Sequence, residues 1–269
     1  MNRKLCFFLG LASAALGACQ GMDATRPGVG EPNASSLDRL AGEAHIVTAS
    51  CNITTAVGDY RALLGSLNAN VVGEQPGGRR EINWDAVPAL ATNTNTFPVD
   101  FFNQPVTGRA RGAVFSTDGS GFRVSDNDFF DINTEYGDEF NAFSPIRTFA
   151  ALESNRSGVE FFVAGTTTSA VSSGFGVVFS DVDEAGSAAI KLIGADGRSF
   201  GEFFAPVCPG GFSFVGVAFD TPVINRVEIK SGKGPLGSNL ADVSDRDHEG
   251  ARDLVVMDDF IYGEPRRIE

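Results

Sequence analysis

Carboxylates set at alternate positions ahead of a glycine are the makings of an oxygen-rich cation loop, and this chain carries the pattern twice. Asp245-Arg246-Asp247-His248-Glu249-Gly250 places acids at every second residue before a turn-forming glycine, like the first half of a calcium loop. Asp181-Val182-Asp183-Glu184-Ala185-Gly186 is a shorter version. Calcium takes roughly six to eight hard oxygen ligands, and neither run supplies a full shell. The twelfth position counted from Asp245 is Val256 rather than a glutamate, so a complete EF-hand loop is absent. Two readings stay open: solvated acidic turns, or a composite Ca2+ site in which Asp181 and Asp183 join Asp245 and Asp247.

Other chemistries find less support. No G-x-S-x-G nucleophile elbow occurs, and neither Cys51 nor Cys208 has an evident paired base. Of the two histidines, His45 lies at the tether margin and His248 sits among carboxylates that would keep it charged rather than poise it as a base. Glu81, Asp85, Glu160, Glu202 and Glu228 are candidate members of a glycosidase acid pair, yet nothing in their spacing selects two of them. No catalytic residue is assigned. Cys51 and Cys208 are the two cysteines of the globular part, and a disulfide between them is one of two open outcomes. Joined, they would close a loop of about 157 residues, which the loop-entropy model values at about 5 kcal/mol.

These groups must be held by strands. Arg111 to Thr117, Val159 to Ala164, Phe175 to Ser180, Ala189 to Ile193, Phe200 to Ala205, Phe212 to Phe219, Ile224 to Ile229 and Leu254 to Tyr262 are short apolar or alternating runs. Clusters of Gly, Pro, Asn and Asp separate them, as turns require. One helix is expected near the start, with Thr54 or Thr55 as cap and Val57, Tyr60, Leu63 and Leu64 on one face before Gly65. The pattern predicts an all-β antiparallel β-sandwich, jelly-roll-like, with one short N-terminal helix. Phenylalanine is over-used, 23 residues against one Trp and three Tyr. Having no polar handle, most of these rings should fill the core. Trp84 shares a strand face with Ile82 and reads as core too. Arg79, Arg80, Glu81 and Asp85 read as an ion-pair knot supporting the sandwich.

The formal charge of −13 repels phosphate backbones and argues against nucleic acid as a partner. Asn2, Arg3 and Lys4 lead into an apolar run from Leu5 to Ala18, too short to span a bilayer. Its end, Leu16-Gly17-Ala18-Cys19, resembles the lipobox of bacterial lipoproteins. That resemblance implies cleavage before Cys19, acylation of its thiol and a membrane anchor through the lipid. Gln20 at the next position, rather than Asp, implies the outer membrane of a double-membrane bacterium. The expected organisation is a signal peptide over residues 1–18, a flexible tether over 19–45, a single jelly-roll-like β-sandwich over 46–264 and a C-terminal tail over 265–269.

The stretches Gly78-Arg79-Arg80-Glu81-Ile82-Asn83-Trp84-Asp85, Phe97-Pro98-Val99-Asp100-Phe101-Phe102-Asn103 and Gly174-Phe175-Gly176-Val177-Val178-Phe179-Ser180-Asp181 resemble an uncharacterised group of exported bacterial β-sandwich proteins. The group brings no activity with it. Val255-Val256-Met257-Asp258-Asp259-Phe260-Ile261-Tyr262-Gly263 is similar to the last strand of secreted jelly rolls, many carbohydrate-binding modules among them. In that likeness Asp258 or Asp259 would ligate a structural calcium. The resulting expectation is a lipid-anchored, non-catalytic binding module, for a glycan and with calcium as stabiliser. A structural or adhesive surface protein and a polysaccharide hydrolase or lyase are the alternatives. With Trp84, Tyr60, Tyr136 and Tyr262 as the only Trp and Tyr rings, the sequence favours a cleft for a short chain over a flat stacking platform.

Overall fold

Alternation along the chain becomes two antiparallel sheets packed face to face. The computed structural model describes residues 43–244 and 250–268. Cys19, Asp245, Asp247 and His248 lie outside the described residues. In chain order the elements begin with β1 (His45–Ser50), helix α1 (Thr54–Leu64), β2 (Arg79–Ile82), β3 (Ala113–Thr117) and β4 (Gly121–Ser125). Then follow β5 (Thr148–Leu152), β6 (Arg156–Phe161), β7 (Ala170–Val171), β8 (Gly174–Val182) and β9 (Ala189–Gly194). The chain closes with β10 (Ser199–Phe204), β11 (Cys208–Ala218), β12 (Ile224–Lys230), β13 (Val256–Gly263) and β14 (Arg266–Arg267).

The larger sheet runs β1-β11-β8-β13-β5-β4, with β2 also on β13; the smaller runs β10-β9-β12-β6-β3. Every strand pairing is antiparallel. Between the sheets lies a phenylalanine-rich core. Trp84 is fully buried in it, stacked on Phe149 at 3.8 Å between centroids and edge-on to Phe102 and Phe260. Its indole N–H donates to the Asp258 carbonyl at 2.9 Å, so the one polar atom of the ring is satisfied.

Helix α1 covers the outer face of the larger sheet. Val57, Tyr60 and Leu64 are buried there. The sheet is pared to glycine where the Tyr60 ring lies: a Cβ on Gly176 or Gly216 would come within 2.7 or 2.8 Å of it. Two expectations for this helix are corrected. Leu63 is 46% exposed, because at 100° per residue it turns away from the face shared by 57, 60 and 64. Thr54 and Thr55 lie inside the first turn, and Ile53 takes the cap position without a side-chain hydrogen bond.

Both ends of the domain extend past the expected limits. β1 starts at His45, inside the segment expected to be tether, because its six residues pair with β11 from His45↔Ala218 to Ser50↔Ser213. Arg266 and Arg267, expected to be tail, pair with Val171 and Ala170.

Candidate functional site

Three segments bring carboxylates together at one end of the larger sheet. The first is the end of β8. Phe175, Val177 and Phe179 face the core, and strict alternation would send Asp181 there as well. Asp181 instead adopts a left-handed φ of 67° opposite a register shift in β11, and Val182 takes the core face. Aspartate tolerates that conformation better than most residues. The second segment is the turn after a short 3-10 helix, Thr134–Asp138. Tyr136 Oη lies 2.9 and 2.7 Å from the carbonyls of Gly237 and Leu240, which draws Glu139 towards the third segment. That segment is the β12–β13 connection, carrying Asp242 and Asp253.

A carboxylate oxygen on each of Glu139, Asp181 and Asp242 lies within 4.8 Å of the other two. Asp183, two residues along from Asp181, is raised by burial and by the nearby Asp242, Asp253 and Glu139. Donors arrive from outside the cluster. Gly210 N–H donates to Asp181 Oδ1 at 2.7 Å, Leu254 N–H to Asp242 Oδ1 at 2.6 Å and Ser244 N–H to Asp242 Oδ2 at 2.7 Å. The Ser244 hydroxyl donates to Glu139 Oε1 at 2.6 Å. Asp181 Oδ2 and Asp183 Oδ1 are buried with no partner. Burial, then the neighbouring acids, push Asp181 up to about 9 and Asp183 up to about 7. Asp253 rises as well, through burial. The half of this cluster that sequence spacing reveals is Asp181 and Asp183; Glu139 and Asp242 carry no local signal.

Asp258 and Asp259 sit elsewhere on the sheet. Met257 pairs with Phe179 and Phe260 with Val177, so the two aspartates form a β-bulge opposite Val178. Met257 and Phe260 both face the core, and both aspartates leave it. Asp258 Oδ2 accepts N–H groups from Phe143 at 2.5 Å and Ser144 at 2.9 Å, whereas Asp259 Oδ2 accepts from Arg61 at 2.8 Å. Burial and the Asp259 charge push Asp258 up to about 9, and burial raises Asp259 as well, against the pull of the Arg61 guanidinium.

The expected ion-pair knot splits in two. Glu81 takes Arg61 at 3.0 Å and Arg79 at 2.6 Å, while the fully buried Arg80 turns away to Glu264. Asp85 does not join: its Oδ1 accepts the N–H groups of Ile146 and Arg147. Of the remaining candidate acids, Glu228 on the smaller sheet pairs with Lys191 and Arg226. Glu202 stands opposite Lys191 and Glu160 opposite Arg226 in the strand register. Cys51 and Cys208 are bonded, with 5.5 Å between their Cα atoms.

Away from both acidic pairs lies a cleft of 860 Å³. Val163, Val171, Pro222 and Val223 give it apolar walls, and Glu74, Arg266 and Arg267 a charged rim. Glu74 Oε1 accepts the Arg267 N–H at 3.0 Å, and both guanidiniums lie within 4 Å of its carboxylate. Thus two arginines share one acid. The Arg267 side chain is 68% exposed.

No family model matches the chain, and no curated protein matches it. Among solved structures it is similar to a family 29 carbohydrate-binding module studied for its mechanism of ligand recognition. Identity is 6% and the TM-score 0.23, over 46% of this chain and 73% of the module. A likeness at that score carries no argument about site or ligand.

Proposed function

We propose that the protein is a non-catalytic binding module that holds a short glycan in the 860 Å³ cleft and is anchored to the outer membrane through lipid on Cys19. The observation that carries this reading is the make-up of the cleft. Its valine and proline walls suit the C–H faces of a sugar, and its rim offers guanidinium donors beside a carboxylate acceptor, the pairing that hydroxyl groups need. Glycoside hydrolysis calls for two carboxyl groups roughly 5–10 Å apart. Among the described residues Glu74 is the one acid lining the cleft, and two arginines engage it.

The test is a glycan array with full-length protein, followed by titration of retained oligosaccharides and a reducing-end assay. Retention without new reducing ends is the expected result. Arg267→Ala should weaken it about tenfold, as loss of a charged hydrogen-bond donor does. An array without retained glycans, or equal retention by Arg267→Ala and Arg266→Ala, refutes the reading. Membrane association lost in Cys19→Ala checks the anchor.

A further inference from the structure

We infer that Glu139, Asp181 and Asp242 form a calcium site at the loop end of the larger sheet, with Asp183 two residues along from Asp181. Two oxygens bound to one calcium, each roughly 2.3–2.6 Å from it, stand at most about 5 Å apart. The oxygens of Glu139, Asp181 and Asp242 meet that limit, all lying within 4.8 Å of one another. One ion between them satisfies three carboxylates at once.

The independent sign of a missing ligand is Asp181. Its side chain is fully buried, and Oδ2 has no donor. What faces it are Glu139 and Asp242, acceptors like itself. A buried acceptor surrounded by acceptors lacks the positive charge that burial demands. Among the described residues no lysine or arginine forms an ion pair with Glu139, Asp181, Asp183 or Asp242. The four N–H and O–H donors at the cluster approach from its periphery and fix the carboxylates in place, as outer-shell partners of a metal do.

Donor chemistry selects the ion. Among the described residues the cluster holds oxygen alone, with neither imidazole nor thiolate, a donor set that suits a hard cation better than zinc. Magnesium keeps most of its water and is held by one or two carboxylates, whereas calcium accepts several in irregular geometry. Glu139 and Asp242 also line a 290 Å³ recess with Tyr136 and Ser244, which gives the ion a way in and room for water.

The experiment uses full-length protein in detergent, stripped with EDTA, then titrated with calcium or magnesium by calorimetry and followed by thermal unfolding. Expected are one calcium per chain and a melting point higher by about 5–10 °C at calcium roughly a hundredfold above its Kd. Asp181→Asn, Asp242→Asn and Glu139→Gln should each weaken calcium by at least about tenfold, the lower end of what outer-shell changes cost. In EDTA, Asp181→Asn should melt at or above wild type, because the amide removes like charge; a residue that only props the fold would lower it. Asp258→Asn should bind calcium as wild type does. Glu139→Gln, at a partly buried position, keeps the test decisive if Asp181→Asn does not fold. Three results overturn the inference: no calcium-dependent shift in folded wild type, wild-type affinity in Glu139→Gln, or an equal response to magnesium.

Discussion

Glu264→Gln is the substitution that should damage this domain most for its size. Arg80 and Glu264 are essentially solvent-free, with side chains 0% and 1% exposed. Arg80 Nε donates to Glu264 Oε2 at 2.6 Å and Nη2 to Oε1 at 2.7 Å, a bidentate fork. Glu264 also accepts the Asn68 side-chain amide at 2.7 Å and the Gln75 N–H at 3.1 Å, so four donors converge on two oxygens. Glutamine offers one oxygen and turns an NH2 group towards donors. It also strips the buried guanidinium of its counter-charge, leaving it neutral carbonyls: Ala69 and Ala110 at 2.8 Å and Gly73 at 3.5 Å. Breaking a buried pair from one side costs about 3–5 kcal/mol. For a domain of this size that is a fall in melting temperature of about 6–20 °C. Urea and thermal unfolding followed by near-UV circular dichroism would measure it. Removing both charges should be milder, so Arg80→Met combined with Glu264→Leu is expected to lose less than Glu264→Gln alone. A Glu264→Gln protein within about 1 kcal/mol of wild type would refute the reasoning, since that is the worth of an exposed pair.

Two further outcomes are expected. Asp258 is an acid whose folded-state value, about 9, stands above the unfolded value. Its contribution is therefore complete below about pH 4 and lost as pH rises through the folded value. Wild-type unfolding free energy should decline between those limits, and Asp258→Asn should flatten the decline; parallel slopes from urea titrations at pH 5 and pH 8 would count against the assignment. Replacing both Cys51 and Cys208 with serine opens the bonded loop and should cost about 2–5 kcal/mol, read from the urea midpoint under oxidising conditions.

The sandwich was legible wherever burial differed between the two faces of a strand. Ile224 to Ile229 alternates in sequence and, within β12, in burial; β11, from Cys208 to Ala218, is buried on both faces from Ser213 on and was legible instead by its alternation of bulky and small residues. β5, Thr148-Phe149-Ala150-Ala151-Leu152, is buried on both faces and so has no alternation to read. β1 was hidden for another reason: its partner β11 lies more than 160 residues away, and nothing near His45 announces the pairing. The site was half legible. Asp181 and Asp183 stand out by their spacing, yet Glu139 and Asp242 reach them only through the fold, by a tyrosine that pins one loop to another. At Asp258 and Asp259 the period of two misleads, because it assigns neighbours to opposite faces, whereas one bulged residue returns both to the same side.

The bond between Cys51 and Cys208 bears on how the molecule meets mechanical pull. Tension transmitted along the chain towards His45 falls first on β1, an outermost strand held by six residue pairs. Such a strand peels pair by pair, beginning at His45. Unravelling stops one residue past Ser50, where a covalent link fastens the chain to β11. Helix α1 and the rest of the larger sheet lie behind that stop and stay folded while the outermost strand yields.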